Sequence, residues 1–378
     1  MKALKATSQP TVLSAVIVSI LTIVPAMANG QSFIGPLNKL RAVASTVPDN
    51  GDINPYGVAV VPQTIGNLTQ GDILVSNFNK SSNVQGTGST IVQITPSGGV
   101  SLFAQISLGI RQNCPGGVGL TTALAVLERG WVIVGSLPTS NGMSATAQAG
   151  CLIVLDSMGK PVETFSGSPI NGPWDMTALD QGTRASLFVT NVLNGGVATA
   201  NPPHVVNKGT VVRIEISVPK AGEGMPMIHS TQIIGSGFAE IADPNALIIG
   251  PTGVGLGKDG TLYVADSESN RIAAIPNALH RLTTAYAGKD VSANGKLNGP
   301  LGLAIAPNGD VLTVNAGDGN LVETTPEGVQ IATQTITTNP PGSLFGLAVT
   351  PSATGVYFVD DTNNNLNLLS DPANPPPY

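Results

Sequence analysis

The chain has 378 residues, of which 45 are glycine, 29 are proline and only 11% are charged. Coiled coils and helix bundles are much richer in charged residues, so this composition excludes both classes. With 42% hydrophobic residues and a net charge of −6, the chain also lacks the composition of a disordered protein or of one that binds nucleic acid. These values indicate a turn-rich, all-β globular protein.

The first 28 residues have the features of a secretory signal peptide. Lys2 and Lys5 precede an apolar run from Val12 to Val24, and the segment 26–28 (AMA) has the small-x-small pattern of a cleavage site. This run is too short to cross a bilayer, which takes about 20 residues. We therefore predict that residues 1–28 are removed, that no membrane span remains, and that the product is a secreted or periplasmic monomer.

The chain has two cysteines, Cys114 and Cys151. Disulfides persist in proteins that leave the cytosol, so the predicted export favours a structural bridge between these two residues. A reactive or metal-binding thiol pair is the alternative, but no histidine cluster accompanies the cysteines.

A six-residue phrase with the pattern Pro-x-Gly followed by apolar residues recurs along the chain and predicts a repeated inner strand. Its six copies are Pro55–Val60, Pro115–Leu120, Pro173–Ala178, Pro251–Leu256, Pro300–Ile305 and Leu344–Val349. A second strand follows each copy and ends in a small polar residue: Asn77, Ser136, Asn191, Asp266, Asn315 or Asp360. Third strands and, after the first five copies, fourth strands come next, with the fourth strand of the fourth unit expected near Thr283–Ala287.

Six such units predict a six-bladed β-propeller of four-stranded antiparallel blades, because one small sheet cannot bury its apolar faces alone. The sixth unit has no room for a fourth strand before a proline-rich tail, residues 371–378. An unassigned strand at Leu37–Thr46 precedes the first unit. We predict that this N-terminal strand completes the sixth blade and closes the ring, which removes an exposed sheet edge. The propeller then occupies residues 29–370.

The fourth and fifth units carry a more specific pattern. Gly250–Leu256, followed by Asp259–Asp266 (DGTLYVAD) and Asn270–Ile272 (NRI), resembles the NHL repeat, and the stretch from Gly299 to Leu321 is similar. The third unit departs from the pattern because Asp175 replaces the inner-strand glycine. NHL propellers include binding scaffolds and sensor domains, and related six-bladed propellers include metal-dependent lactonases, amidating lyases and streptogramin lyases. The resemblance implies the fold and leaves the function to the site.

In a propeller, the start of each inner strand and the end of each second strand share one rim of the central channel. Tyr56, Trp174 and Phe345 occupy the x position of their phrases, and Asn77 and Asn191 end second strands on the same rim. We predict that these five residues bind a ligand. The alternatives are that the aromatic rings fill the channel and that the amides cap turns. Three long insertions enlarge this face: Phe78–Gly88, Leu137–Gly150 and Val192–Gly209.

A cation site on the same rim is a second hypothesis. Asp266, Asn315 and Asp360 offer oxygen ligands of the kind that Ca²⁺ prefers. The region that supplies a glutamate ligand in related lactonases contains aspartate and asparagine here. The three histidines fall at no shared position of the repeat, which argues against a histidine zinc site.

The sequence thus predicts an exported NHL-type propeller that binds a protein or glycan partner through its channel-mouth face. The alternative is a Ca²⁺-dependent hydrolase of lactones or esters, or a lyase of the same fold. Because charged residues are few, we also expect the stability to depend only weakly on pH.

Overall fold

The computed structural model describes residues 31–107, 109 and 113–376, so the predicted signal peptide lies outside the described residues. These residues form 25 β-strands and two short 3₁₀ turns, Ser144–Thr146 and Val197–Thr199. Neither turn in this described part of the chain is long or apolar enough to cross a membrane. The all-β prediction is confirmed.

The strands form six antiparallel sheets. The first strand, β1 (Lys39–Ser45), belongs to the last blade. Blade 1 consists of β2 (Ile53–Val60), β3 (Ile73–Asn79), β4 (Thr90–Ile94) and β5 (Val100–Gln105). Blade 2 consists of β6 (Leu120–Val126), β7 (Val132–Ser136), β8 (Cys151–Leu155) and β9 (Pro161–Ser166). Blade 3 consists of β10 (Gly172–Asp180), β11 (Arg184–Val192), β12 (Val206–Ser217), β13 (Met227–Asp243) and β14 (Leu247–Ile249).

The second half of the ring is more regular. Blade 4 consists of β15 (Pro251–Leu256), β16 (Leu262–Asp266), β17 (Arg271–Ile275) and β18 (Lys289–Ala293). Blade 5 consists of β19 (Pro300–Ile305), β20 (Val311–Asn315), β21 (Asn320–Thr324) and β22 (Gln330–Thr335). Blade 6 consists of β23 (Leu344–Val349), β24 (Gly355–Asp360), β25 (Asn365–Ser370) and β1. The inner strands β2, β6, β10, β15, β19 and β23 contact one another in this order, and β23 returns to β2, which closes a six-bladed ring.

The N-terminal strand closes the ring, as the sequence predicts. β1 pairs antiparallel with β25, from Lys39 opposite Ser370 to Ser45 opposite Asn365. Blade 6 therefore joins the two ends of the described chain and has no unpaired fourth position.

A buried glutamate fixes the segment that precedes β1. Glu323 of blade 5 accepts hydrogen bonds from the Ser32 hydroxyl at 2.6 Å and from the backbone N–H groups of Phe33 and Ile34 at 2.7 and 2.9 Å. Burial alone raises the pKa of Glu323, but these donors hold it below its usual value. Phe33, Ile34 and Leu37 are fully buried in an apolar cluster shared with blades 5 and 6, so this segment is part of the fold.

Two strand assignments from the sequence are wrong in position. In blade 2 the inner strand begins at Leu120, which pairs with Ser136, so the phrase Pro115–Leu120 lies almost wholly before the strand. In blade 4 the fourth strand is Lys289–Ala293, whereas the predicted segment Thr283–Ala287 lies in the preceding loop. In both places a long connection carries strand-like residues outside the sheet.

Blade 3 departs from the four-stranded plan. The end of β13 turns back and pairs with the short strand β14, with Ile241 opposite Ile249 and Asp243 opposite Leu247. We call residues 241–249 the mouth hairpin. It leads directly into the inner strand of blade 4, at the end of the channel where inner strands begin, which we call the mouth.

Glycine lets neighbouring inner strands approach closely. A Cβ atom added to Gly346 of blade 6 would lie 2.2 Å from the Tyr56 carbonyl oxygen of blade 1. The same atom on Gly302 would lie 2.0 Å from the Phe345 carbonyl oxygen, and on Gly253 2.2 Å from that of Leu301. Real Cβ atoms do not approach backbone oxygen this closely, so the glycine of the repeated phrase is a steric requirement of the ring.

Replacing one of these glycines should loosen the ring. We expect Gly346→Ala to lower the free energy of unfolding by about 3 kcal/mol, because the added methyl group must displace backbone rather than a flexible side chain. Gly99→Ala is the control, since its Cβ would meet only the Thr95 side chain, at 3.1 Å. Chemical denaturation measures both variants, and equal effects would contradict the steric explanation.

Candidate functional site

Four aromatic rings fill the mouth of the channel. The ring centroid of Tyr56 lies 3.8 Å from that of Phe345, 4.5 Å from Phe78 and 6.1 Å from Trp174, and every pair is stacked. Tyr56, Trp174 and Phe345 come from blades 1, 3 and 6, so they converge on the axis from three directions. We call these four residues the aromatic plug.

The blade 3 insertions cover the aromatic plug from outside. The Trp174 indole N–H donates to the Ile248 carbonyl of the mouth hairpin at 2.8 Å. The Gln85 side chain, from the blade 1 insertion, donates to the Pro244 carbonyl at 2.6 Å. Val197 and Leu247 are buried in the same apolar cluster as the plug. The enlarged loops therefore close the mouth over the channel.

The five predicted ligand-binding residues lie on the predicted rim but are buried. Tyr56, Trp174 and Phe345 are 2%, 3% and 1% exposed. Asn77 donates to the Thr46 carbonyl at 3.0 Å, and Asn191 accepts the backbone N–H of Asn171 at 3.2 Å. Of these residues, Phe345 borders a cavity on the mouth face. A ligand role for the set stays a prediction.

Each of the predicted cation ligands already makes an ion pair or a hydrogen bond with another residue of the protein. Asp266 pairs with Arg271 at 2.8 Å, and Asn315 donates to the Lys296 carbonyl at the same distance. One oxygen of each, Oδ1, has no hydrogen-bond partner among the described residues, and a cation role for both stays a prediction. Asp360 accepts from the Asn339 side chain at 2.7 Å. The described residues contain no group of three or more His, Cys, Asp or Glu side chains placed to hold a metal ion.

A cleft of about 270 Å³ lies on the mouth face beside the mouth hairpin, between blade 3 and blades 4 to 6. Its polar lining comes from Asp243, Asn245, Ser267, Glu268 and Asn298. We call it the mouth cleft. Asp243 holds the hairpin turn, because one of its oxygens accepts the backbone N–H groups of Asn245 and Ala246 at 2.7 and 2.9 Å.

The mouth cleft concentrates negative charge. No lysine, arginine or histidine is among the described residues that line it. Burial, together with the charges of Asp243 and Asp266, raises the pKa of Glu268. Nearby, burial and the charge of Asp360 raise the pKa of Asp361 to about 7. Arg271 is occupied by ion pairs with Asp266 and Asp290, so the described lining offers Glu268 no cation that would offset the charges of Asp243 and Asp266.

The sequence did not predict the mouth cleft. Asp243 ends β13, Asn245 and Glu268 lie in turns, and Asn298 precedes an inner strand, all outside the repeated positions. The one sequence feature that could have indicated the cleft is the unusual length of the segment between the repeated phrases Pro173–Ala178 and Pro251–Leu256.

The predicted disulfide is confirmed. Cys114 is bonded to Cys151, with the two Cα atoms 5.2 Å apart. Because Cys151 begins β8, the bond ties the segment before the inner strand of blade 2 to the middle of that blade. No other cysteine is present.

Comparison with known proteins agrees with this architecture. The NHL repeat family matches residues 249–275, which span β15, β16 and β17. The chain is therefore a six-bladed β-propeller that contains an NHL repeat, and we call it the NHL propeller. No curated protein sequence matches it at a significant level.

Solved structures resemble this NHL propeller in fold. A gluconolactonase from Xanthomonas campestris is 13% identical with a TM-score of 0.52, over 86% of this chain and 88% of that one. The calcium-binding protein regucalcin from Agrobacterium tumefaciens is 14% identical with a TM-score of 0.53, over 87% and 93%. A PQQ-bound aldose sugar dehydrogenase from Streptomyces coelicolor is 15% identical with a TM-score of 0.54, over 88% and 98%. At these identities the likeness establishes the fold alone.

Two buried carboxyl groups lead us to expect a stronger dependence of stability on pH than the low charge of the chain suggests. Burial raises the pKa of Asp175, in the inner strand of blade 3, from its ordinary value of 3.8 to about 8, although the backbone N–H groups of Met176 and Val254 oppose this. Burial likewise raises the pKa of Glu240 to about 8. The folded state therefore binds protons that the unfolded chain releases between about pH 4 and pH 8, so stability falls as the pH rises through this range.

We expect the NHL propeller to unfold at a lower temperature at pH 8 than at pH 5. Asp175→Asn should remove part of this dependence, because asparagine cannot ionise. The difference in free energy of unfolding between the variant and the natural protein should grow with pH by up to about 1.4 kcal/mol per unit. Asp49→Asn, at an exposed position, is the control. Parallel stability profiles for Asp175→Asn and the natural protein would contradict the expectation.

Proposed function

We propose that this NHL propeller is a binding module whose mouth cleft receives a basic group, the lysine or arginine side chain of a protein partner. The observation that carries the proposal is the pair of carboxylates, Asp243 and Glu268, in a cleft with no cation among its described lining residues. A basic side chain placed there would offset the repulsion that raises the pKa of Glu268.

A glycan is the other partner that the mouth face could take. Proteins commonly hold sugars against an exposed aromatic ring, but the rings of Tyr56, Trp174 and Phe345 are buried and stacked on one another. The charge of the mouth cleft and the burial of its nearest ring both favour the basic side chain.

Export of the chain belongs to the same proposal. The disulfide between Cys114 and Cys151 is consistent with an oxidising compartment, and the N-terminal sequence has the pattern of a signal peptide. We propose a monomer that meets its partner outside the cytoplasm.

A charge-removing variant tests the mouth cleft. The probe is a flexible glycine-serine peptide with one central lysine, compared with the same peptide carrying glutamine. We expect the lysine peptide to bind more tightly, and the double variant Asp243→Asn, Glu268→Gln to weaken its binding at least tenfold, because both carboxylates are then neutral. Titration followed by NMR measures the affinities.

Glu223→Gln, in the exposed turn between β12 and β13, is the matched control and should bind the lysine peptide as the natural protein does. Binding should also weaken with added salt and on acidification, which neutralises Glu268, whose pKa is raised by burial and by the charges of Asp243 and Asp266. Equal affinity for the lysine and glutamine peptides would contradict the proposal.

A Ca²⁺-dependent hydrolase is the second candidate function. It is favoured by the donor chemistry of the mouth cleft, where two carboxylates and the side chains of Asn245 and Asn298 offer only oxygen and amide ligands. Ca²⁺ bound there would polarise the carbonyl group of a lactone or ester. Asp243 and Glu268 would then be the ligands of the ion. Asp266, Asn315 and Asp360 would not coordinate it.

Thermal unfolding with and without Ca²⁺ separates the two functions. If the hydrolase proposal is right, millimolar Ca²⁺ raises the unfolding temperature above that in chelator, and a concentration 100 times the dissociation constant stabilises the fold by about 2.7 kcal/mol. Asp243→Asn should abolish this rise, and Asp266→Ala should leave it unchanged. If the unfolding temperature does not respond to Ca²⁺, the hydrolase proposal is wrong and the proposal of a binding module stands.

A further inference from the structure

The central channel has a second cavity, separate from the mouth cleft. Its volume is about 330 Å³, and residues from all six inner strands line it. It begins at the level just beyond the aromatic plug, at Asp175 and Gly346, and continues to the far ends of the inner strands at Val60, Val126 and Leu256. The channel cavity therefore faces the side of the propeller opposite the mouth.

One blade places an ionisable side chain at a position in the wall of this cavity where most blades have glycine. The register of the inner strands aligns Asp175 with Gly57, Gly253, Gly302 and Gly346. Each comes two residues after the inner-strand residue that pairs with the polar end of the second strand, namely Asn191, Asn77, Asp266, Asn315 or Asp360. Four blades thus have glycine at this position, whereas blade 3 has a side chain with a carboxyl group. Asp175 is also the only ionisable residue among the described residues that line the cavity.

The surroundings of Asp175 contain hydrogen-bonding groups but no opposite charge. One carboxyl oxygen accepts the backbone N–H of Met176 at 2.7 Å. Burial raises its pKa to about 8, and no charged group contributes to this shift. At neutral pH the group is therefore a neutral carboxylic acid, and its O–H can donate a hydrogen bond.

A second polar group lies in the adjoining blade. Thr122, which lines the cavity from β6, is 3% exposed, and its buried hydroxyl has no hydrogen-bond partner among the described residues. A buried hydroxyl without a partner costs free energy that a ligand or a water molecule can recover. Beyond these two groups the wall is formed by Thr177, by the edges of the inner strands and by aliphatic side chains such as Val254 and Leu303.

We propose that the channel cavity is a binding site for a small uncharged carbonyl compound, of the amide class, which enters from the face opposite the mouth. The carboxylic acid of Asp175 donates to the carbonyl oxygen of the ligand, and the Thr122 hydroxyl bonds to the same polar end. The aliphatic part of the ligand lies along the wall toward the strand ends. A carboxylate ligand is excluded, since its charge would be buried without a counterion.

Three steps test this site with isobutyramide as the probe and the isosteric anion isobutyrate as the comparison. Saturation-transfer NMR at pH 6 should show isobutyramide bound at least tenfold more tightly than isobutyrate. Binding of isobutyramide should fall at least tenfold at pH 9.5, where Asp175 is ionised. Asp175→Leu should abolish binding at pH 6, while Asp175→Asn, which keeps a neutral donor, should bind within threefold of the natural protein at both pH values.

If Asp175→Leu does not fold, the pH comparison between the natural protein and Asp175→Asn decides the question. Absence of isobutyramide binding, equal binding of isobutyrate, or the same pH dependence in Asp175→Asn would each overturn the proposal. Asp243→Asn in the mouth cleft should leave isobutyramide binding unchanged, so the result stands independently of the proposed partner.

Discussion

Adjacent inner strands approach so closely that a methyl group does not fit between them, and most of the structure depends on this contact. The backbone of the next blade lies directly against three glycines of the repeat, Gly253, Gly302 and Gly346. The close approach narrows the axis, and the residue before each glycine is left at the channel mouth. Three of the residues at this level are aromatic: Tyr56 and Phe345 precede glycine, and Trp174 precedes Asp175, which takes the place of glycine in blade 3. Their rings meet and seal the channel. Because the rings close the channel, the mouth cleft on one face and the channel cavity on the opposite face are separate sites.

Asp175 shows what the same crowding does to a polar side chain. A carboxyl group in a glycine position is stripped of water by the neighbouring strands, and no basic residue accompanies it. Glu268 of the mouth cleft is only partly buried, and the charges of Asp243 and Asp266 add to burial in raising its pKa. One propeller therefore holds acids of two kinds, a solitary neutral one inside the channel and a mutually repelling group on the outer rim.

The sequence predicted the ring well because its repeat has a steric cause. In blades 4, 5 and 6 the glycine of the phrase makes the close contact, and the strand begins where the phrase begins, at Pro251, Pro300 and Leu344. In blade 2 the phrase at Pro115 satisfies the pattern without the contact, and the strand starts later, at Leu120. The sequence showed that Asp175 departs from the repeat. It could not show that Asp175 is protonated, because the raised pKa results from burial, which depends on the neighbouring strands. The mouth cleft was not predictable, since Asp243 and Glu268 are brought together by the mouth hairpin, a turn without a repeat signature.

Ring closure by the N-terminal strand has a consequence for the order of events during biosynthesis. β1 is made early, but its partner β25 lies more than 300 residues later, and Glu323, which holds the preceding segment, is also in the last part of the chain. Blades cannot complete the circle one after another as they emerge, as independently folding N-terminal domains can. Until the last blade has been synthesised, β1 must stay unpaired and the inner strand of blade 1 must lack its neighbour. The strand that is made first is the last to be fixed in place.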